Sequence, residues 1–428
     1  MFNRKKKTEK KYIKLNRKLL LFLVILTFLY TFPYFHTRSE ISRTNQKLWD
    51  LQSIDTMKYS RDKAREKVSD ILFESVIDTQ IKNISDTGAT HVAIATPYDE
   101  EFIPYLTRWV KSARNHKLKV WFRGNWAGWE KWFNFKPITR QEHINKTREF
   151  IKTHKDLFED GDIFTACPEC ENGGPGDPRK TGDVKGHREF LIREYQVTKE
   201  TFRSIGKDVK SNYNSMNADV ARLVMNKKTT KALDGIVVID HYVETPSQLV
   251  KDIVEIASTS GGHVVLGEFG VPIADIHGPM TGSEQADWIA QALDKLTHIK
   301  ELKGVNYWVG TGGSSQIWNL DATDRPAVKV FQNYFSPTII NGIVKNEFNK
   351  PIKDAKISFR AKEIITDSTG NFHLPILGDN PTIKVSAAGY KDQEIKLATN
   401  QYSVVITLKG DQTGILFQLK LFFYNLIH

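Results

Sequence analysis

The chain has 428 residues, 40% apolar and 26% charged, with 24 Phe, 14 Tyr and 9 Trp, which suffices for two or three packed domains and excludes a largely disordered polymer. Its net charge of +11 is concentrated, because residues 1–18 hold nine Lys or Arg against one Glu; the rest is nearly neutral and lacks the excess of basic residues expected of a nucleic-acid-binding domain. Two cysteines exclude a disulfide scaffold.

The basic segment 1–18 precedes residues 19–35, LLLFLVILTFLYTFPYF, an uncharged run of 17 residues. That length lies at the short end of what crosses a bilayer. The flanking cations place the N-terminus in the cytoplasm, with Tyr30 and Tyr34 suited to the interface. The expectation is a single-pass anchor in the cell membrane, a linker over 36–50, and the rest of the chain outside the cytoplasm. A cleaved signal peptide is the rival reading, but it needs small residues where Pro33-Tyr34-Phe35-His36 stand. In an oxidising compartment Cys167 and Cys170 form a local disulfide or remain two thiols. Zinc would want four ligands, and there is no second cysteine pair.

From residue 51 to 336 short β-branched runs alternate with amphipathic segments. The runs are 54–59, 91–96, 119–123, 163–167, 209–214, 236–241, 264–269 and 305–309. Helical periodicity marks 62–84, 103–116, 187–205, 218–233, 246–258 and 283–299. Nearly continuous apolar strands alternating with helices spell a parallel sheet, and eight units spell a closed (β/α)8 TIM barrel. The runner-up, a doubly wound open sheet, would more often show a glycine-rich phosphate turn after an early strand.

Past Pro337 the helical period disappears. Residues 338–409 break into seven short strands, 340–344, 355–361, 364–367, 372–376, 382–386, 394–397 and 403–408, separated by turn residues. This is the pattern of a small β-sandwich. Its wording, with Gly342, Pro351, the Thr366-Asp367 to Gly370 turn, Phe372 and Gly389-Tyr390, closely resembles the carboxypeptidase regulatory-like (transthyretin-like) domain, which implies an accessory module without catalysis. The apolar tail 410–428 is too short to span a membrane.

In a (β/α)8 barrel the chemistry sits at the C-terminal ends of the strands. Strand 4 ends in Cys167-Pro168-Glu169-Cys170-Glu171-Asn172, and strand 7 in Gly267-Glu268-Phe269-Gly270. Strand 6 ends in Asp240-His241-Tyr242, and strand 8 carries Tyr307-Trp308. Carboxylates ending strands 4 and 7, with the strand 6 and strand 8 aromatics, resemble clan A of the retaining glycoside hydrolases over roughly residues 50–335. That resemblance implies Glu169 as acid/base, Glu268 as nucleophile, and hydrolysis of β-linked oligo- or polysaccharide. Such a mechanism needs one carboxyl protonated and the other ionised. Glu171 is the alternative acid. One departure stands out: Pro168 fills the slot where the clan usually places Asn.

Arg123, at the end of strand 3, is placed to keep a nearby carboxylate ionised, and His241 or Tyr242 to orient Glu268. Gly267 and Gly270 suggest open space around that residue. Between Trp121 and Trp132 lie four of the nine Trp, and exposed aromatics usually mean binding. Trp126 and Trp129 are therefore read as sugar platforms, with Asn125 as a polar partner. Trp121 is read as core. Lys58, Tyr98, Asn214 and Trp308 complete the candidate substrate contacts, with Lys58 equally able to form a salt bridge. Asn83-Ile-Ser and Asn145-Lys-Thr match the glycosylation pattern.

No cofactor and no metal is expected, since no His-Glu-x-x-His helix or clustered ligand set occurs. The expected partner is carbohydrate and the expected state a monomer. The competing reading is a non-catalytic carbohydrate-binding protein on a degenerate glycosidase barrel.

Overall fold

The structure, a computed structural model, describes residues 46–411 and residue 419. The candidate anchor 19–35, its basic flank 1–18 and nearly all of the tail beyond 411 lie outside the described residues. Among the described residues, no helix is long and apolar enough to cross a membrane. The chain divides into two units at Lys47–Leu48, and the second unit holds every helix and strand named below.

Eight parallel strands, β1 (Leu51–Asp55), β2 (His91–Ile94), β3 (Lys119–Phe122), β4 (Ile163–Phe164), β5 (Ser215–Asn217), β6 (Ile236–Asp240), β7 (His263–Phe269) and β8 (Leu302–Tyr307), run in the order β4-β3-β2-β1-β8-β7-β6-β5. The seam between β4 and β5 is closed just upstream of β5, where Phe164 N–H donates to Lys210 O at 2.8 Å and Lys210 N–H to Asp162 O at 2.9 Å.

Each strand is followed by a helix: α1 (Glu74–Asp86), α2 (Ile103–Asn115), α3 (Arg140–Thr153), α4 (Val184–Ser204), α5 (Ala218–Val224), α6 (Pro246–Ser260), α7 (Gly282–Leu296) and α8 (Pro326–Phe335). Local chemistry sets their starts. Thr139 with Glu142, and Thr281 with Glu284, form reciprocal capping boxes, while Thr245 caps a helix opened by Pro246.

Side chains alternate along each strand, so residues two apart share a face. Leu51, Ala93, Trp121, Ile163, Tyr213, Val238 and Val265 fill one layer of the barrel interior. Two residues further along β1, β3 and β6 the same alternation brings Ser53, Arg123 and Asp240 inward, with Asp55 above Ser53, and all four are buried. The interior is thus apolar below and ionic above.

The strands depart from the sequence reading most at β1 and β5, while β4 stops at Phe164 rather than 167 and β8 runs Leu302–Tyr307 rather than 305–309. β1 spans Leu51–Asp55 rather than 54–59, and Met57–Ser60 is a helical turn. Polar Gln52 and Ser53 mask a fully buried strand, and Gln52 Nε2 is satisfied by Phe335 O at 3.0 Å. β5 lies at Ser215–Asn217, beyond the apolar run 209–214. The segment 62–84 is broken by Asp70, whose carboxylate caps Leu72 N–H. The linker ends earlier than residue 50, since Leu48 and Trp49 are buried in the barrel core.

Beyond Ser336, seven strands form two sheets. A three-stranded sheet pairs β9 (Thr338–Asn346) with β12 (Asn371–Ile376) antiparallel and with β15 (Ser403–Leu408) parallel. A four-stranded sheet orders β11 (Lys362–Ile365), β10 (Lys356–Phe359), β13 (Thr382–Ser386) and β14 (Gln393–Lys396). Both contribute to one apolar core, including Val344, Ile357, Leu374, Val385 and Ile406. Gly342 is required there, because a Cβ would collide with the ring of Phe372. The β10–β11 turn docks on the C-terminal end of α7: Ala361 N–H donates to Thr297 O at 3.1 Å, and Arg360 pairs with Asp294 at 2.8 Å.

Candidate active site

At the C-terminal mouth of the barrel lies a cavity of about 320 Å3, lined by Met57, Arg61, Arg123, Glu130, Trp132, Pro168, Glu169, Asn172 and Glu268. Both carboxylates singled out at the ends of strands 4 and 7 face it.

Glu268 comes from β7, a strand whose residues after His263 are all buried. Its carboxylate is held twice: the Tyr242 hydroxyl donates to Oε2 at 2.7 Å, and an Arg123 guanidinium nitrogen lies 3.0 Å from Oε1. Arg123 is the hub beneath the cavity. Its guanidinium also meets Asp240 at 2.9 Å and Asp55 at 3.5 Å, donates to Gly267 O at 2.6 Å, and sits over the Trp121 ring.

One fixed cation among so many buried carboxylates cannot neutralise them all, so protons must be retained. Burial pushes Asp55 up to about 6 and Asp240 well above the ordinary range, in each case against the opposing pull of Arg123. The glycines around Glu268 mark close packing rather than open space. A Cβ on Gly267 would strike Asp240, and one on Gly270 the carbonyl oxygen of Trp308.

Glu169 reaches the cavity from a loop. β4 stops at Phe164, and the chain crosses toward β5 with Glu169 N–H donating to Ser215 O at 2.8 Å. Cys167 and Cys170 are disulfide-bonded and almost fully buried, so Pro168 and Glu169 ride on a four-residue covalent ring. Asn172 Nδ2 donates to Glu169 Oε2 at 2.9 Å. Burial first, then the charges of Glu268 and Glu171, push the Glu169 carboxyl up to about 8. Asn172 and Pro168 both line the cavity, and Pro168 offers no backbone donor.

Glu171 does not join them. Its Oε1 accepts from the Asn217 backbone at 2.7 Å and from Asn217 Nδ2 at 3.0 Å, tying it to β5. Its place as alternative acid is therefore withdrawn.

The aromatic segment is corrected in the same way. Trp126 donates to Thr147 Oγ1 at 3.1 Å, and Trp129 stacks on Phe190 with ring centroids 5.1 Å apart; both are buried. They plug the gap between the barrel and α3–α4 and present no sugar platform. The indole facing the cavity is Trp132, with the Arg61 guanidinium 4.9 Å over its ring. Glu130, which carries no signal in the sequence pattern, also faces the cavity, and burial lifts its carboxyl to about 7.

Asn125 lies fully buried behind Glu130 and acts through it. Its Nδ2 donates to Glu130, while Oδ1 accepts from Trp126 N–H at 2.8 Å and from His143 Nε2 at 3.0 Å. Tyr98 is core, donating to Thr165 O at 2.8 Å. Asn214 is buried and does not line the cavity. His241 points to Asp252 at 2.8 Å, so Tyr242 alone of that pair orients Glu268. Lys58 pairs with Asp62 at 3.1 Å and lies 5.7 Å from the Trp308 ring, and Trp308 meets Tyr242 edge-on at 6.0 Å. Neither Lys58 nor Trp308 lines the cavity itself. Among the described residues no set of three His, Cys, Asp or Glu is arranged to hold a metal ion.

No protein-family model matches this sequence, and no curated protein is similar to it at a significant level. Solved structures do match. A GH5_18 protein from Streptomyces cattleya, in complex with Manβ1-4GlcNAc, superposes with a TM-score of 0.52 at 11% identity, covering 69% of this chain and 84% of its own. A GH5_18 protein from Bifidobacterium longum subsp. longum gives 0.50 at 15% identity, over 85% and 92%. At these identities the likeness is one of fold: the chain shares the (β/α)8 barrel architecture of these solved structures and carries additional β-sheets at its C-terminal end.

Proposed function

We propose that the barrel is a glycoside hydrolase acting on β-linked oligo- or polysaccharide by a retaining, two-carboxylate mechanism. The observation that carries this reading is the pairing of Glu169 and Glu268 in one cavity with unlike environments. Glu268 is braced by Arg123 and Tyr242, and the Glu169 carboxyl is pushed up to about 8, so that it keeps its proton near neutrality. In the first step a Glu268 oxygen bonds to the anomeric carbon as the glycosidic C–O bond breaks, and Glu169 gives its proton to the departing oxygen. In the second, Glu169 takes a proton from water, whose oxygen displaces Glu268 and restores both groups. That the solved GH5_18 structure holds Manβ1-4GlcNAc supports a β-linked substrate.

A panel of aryl β-glycosides, run with wild type and Glu268→Gln, tests the assignment. Turnover should fall by roughly 10^4-fold with sugar binding kept. Equal turnover by the two proteins would refute it, and proton NMR of the first-formed anomer decides retention against inversion. A second reading, a non-catalytic glycan-binding protein, draws on Pro168, which puts a residue without an N–H donor beside Glu169 in the cavity wall. Saturable binding by a wild type that turns over no glycoside would favour it.

The charge pattern of residues 1–35 supports a further proposal, that the chain is a monomer tethered in the cell membrane by residues 19–35 with the barrel outside the cytoplasm. Residues 338–409 are then an accessory module of the carboxypeptidase regulatory-like kind. Carbonate extraction of membranes, with and without residues 1–35, checks the tether.

A further inference from the structure

We infer that the Cys167–Cys170 cystine is the positioning device for Glu169, a covalent splint that takes over the role a strand normally has in aiming a barrel carboxylate. The inference rests on the proposed role of Glu169 as acid/base. β4 is two residues long and ends at Phe164, so Glu169 stands five residues beyond the last ladder position. Its own backbone is left-handed, φ 43°, a conformation uncommon for a residue with a side chain and held only where the surroundings enforce it.

The enforcement is visible. The cystine closes Cys167-Pro168-Glu169-Cys170 into a ring with Cα atoms 5.2 Å apart at its junction. Proline fixes its own φ in the residue immediately before Glu169. Both half-cystines are buried below the cavity wall while Pro168 and Glu169 line it, so the ring has an anchored side and a working side. The anchored side is keyed to its surroundings: Trp129 Nε1 donates to Cys170 O at 3.2 Å, and Asn125 Nδ2 lies 3.7 Å from Cys167 Sγ. Trp129 and Asn125, which do not reach the cavity themselves, act on it through this loop. Opening the ring leaves three hydrogen bonds at Glu169 to resist rotation of a left-handed residue: its N–H to Ser215 O, its carbonyl oxygen from Asn172 N–H at 2.8 Å, and its carboxylate from Asn172 Nδ2.

The test uses the full chain as wild type and as the Cys167→Ala/Cys170→Ala double variant, with two aryl glycosides of one sugar. A dinitrophenyl glycoside leaves without protonation, whereas a methylphenyl glycoside needs the acid. If the splint aims Glu169, kcat/KM for the methylphenyl substrate falls by at least about tenfold in the variant while the dinitrophenyl value stays within about threefold, and the basic limb of the pH profile moves to lower pH. Equal loss on both substrates would show that the cystine only supports the fold, and no loss on either would show that Glu169 is aimed without it; both results overturn the inference. A carboxyl-carbon NMR titration of Glu169, assigned with Glu169→Gln, decides independently of turnover. A downward displacement of its midpoint in the double variant supports the splint, and an unmoved midpoint refutes it. Failure of wild type to cleave either glycoside refutes the hydrolase reading instead, and the titration still judges the splint.

Discussion

Replacing Arg123 with Gln removes the one guanidinium that meets Glu268 at 3.0 Å, Asp240 at 2.9 Å and Asp55 at 3.5 Å. A unit pair about 3 Å apart at an effective dielectric constant of about 20 attracts by about 5.5 kcal/mol. Much of that is offset by the cost of having desolvated both partners, and breaking a buried pair from one side typically costs about 3–5 kcal/mol. The loss must also depend on pH. Burial already raises Asp55 from 3.8 to about 6 and raises Asp240 further. A carboxyl that binds its proton more tightly folded than unfolded weakens the fold as pH climbs from the unfolded value through the folded one. Without Arg123 both folded values rise again, so the penalty is small near pH 5, where Asp55 and Asp240 hold their protons, and full near pH 8. Scanning calorimetry should show a melting temperature lowered by roughly 5–15 °C at pH 8 and by clearly less at pH 5. An unchanged melting temperature at pH 8, or a larger drop in acid, would refute Arg123 as the shared counter-ion of the site.

Tyr242→Phe deletes one hydrogen bond to a carboxylate, worth about 1.5–3 kcal/mol, so kcat/KM should drop by roughly 10- to 150-fold with melting little changed; an unaltered kcat/KM would separate Tyr242 from the chemistry. The basic limb of the wild-type kcat/KM profile should fall near pH 8, where Glu169 loses its proton, and Glu130→Gln, which removes a like charge that helps raise it, should bring the limb down; a limb that does not move excludes that coupling. Trp129→Ala should cost about 3–5 kcal/mol of stability as a cavity in the core, whereas Trp132→Ala should weaken sugar binding at nearly full stability. Calorimetry beside glycan titration reads both, and the reverse pattern would return the platform to Trp129.

Where a residue's role follows from its place on a strand, the sequence is informative. Glu268 lies one residue from the end of buried β7 and Tyr242 two residues past the end of buried β6, and strand alternation alone turns Arg123 inward. Glu169 is legible from its neighbours in chain order, although its strand ends before reaching it. The aromatic loop shows where that logic stops. Lys131, Phe133 and Asn134 all have left-handed backbones, none is glycine, and no periodicity announces them. Those reversals carry Trp132 to the cavity and leave Trp126 and Trp129 behind in the core, so indoles of similar spacing acquire opposite roles. Glu130 escapes notice for the same reason, although it directly follows Trp129. β1 is misplaced by pattern alone because burial of Gln52 and Ser53 depends on partners hundreds of residues away, such as Phe335.

The docking of Arg360 and Ala361 against Asp294 and Thr297 has a geometric consequence. Helices of the barrel run opposite to its strands, so the end of α7 belongs to the floor, where Leu48 and Trp49 also enter. Incoming backbone and appended β-sheets thus share one pole of the cylinder, and the carboxylates open at the other. A long glycan can approach that open pole without threading past the appendage.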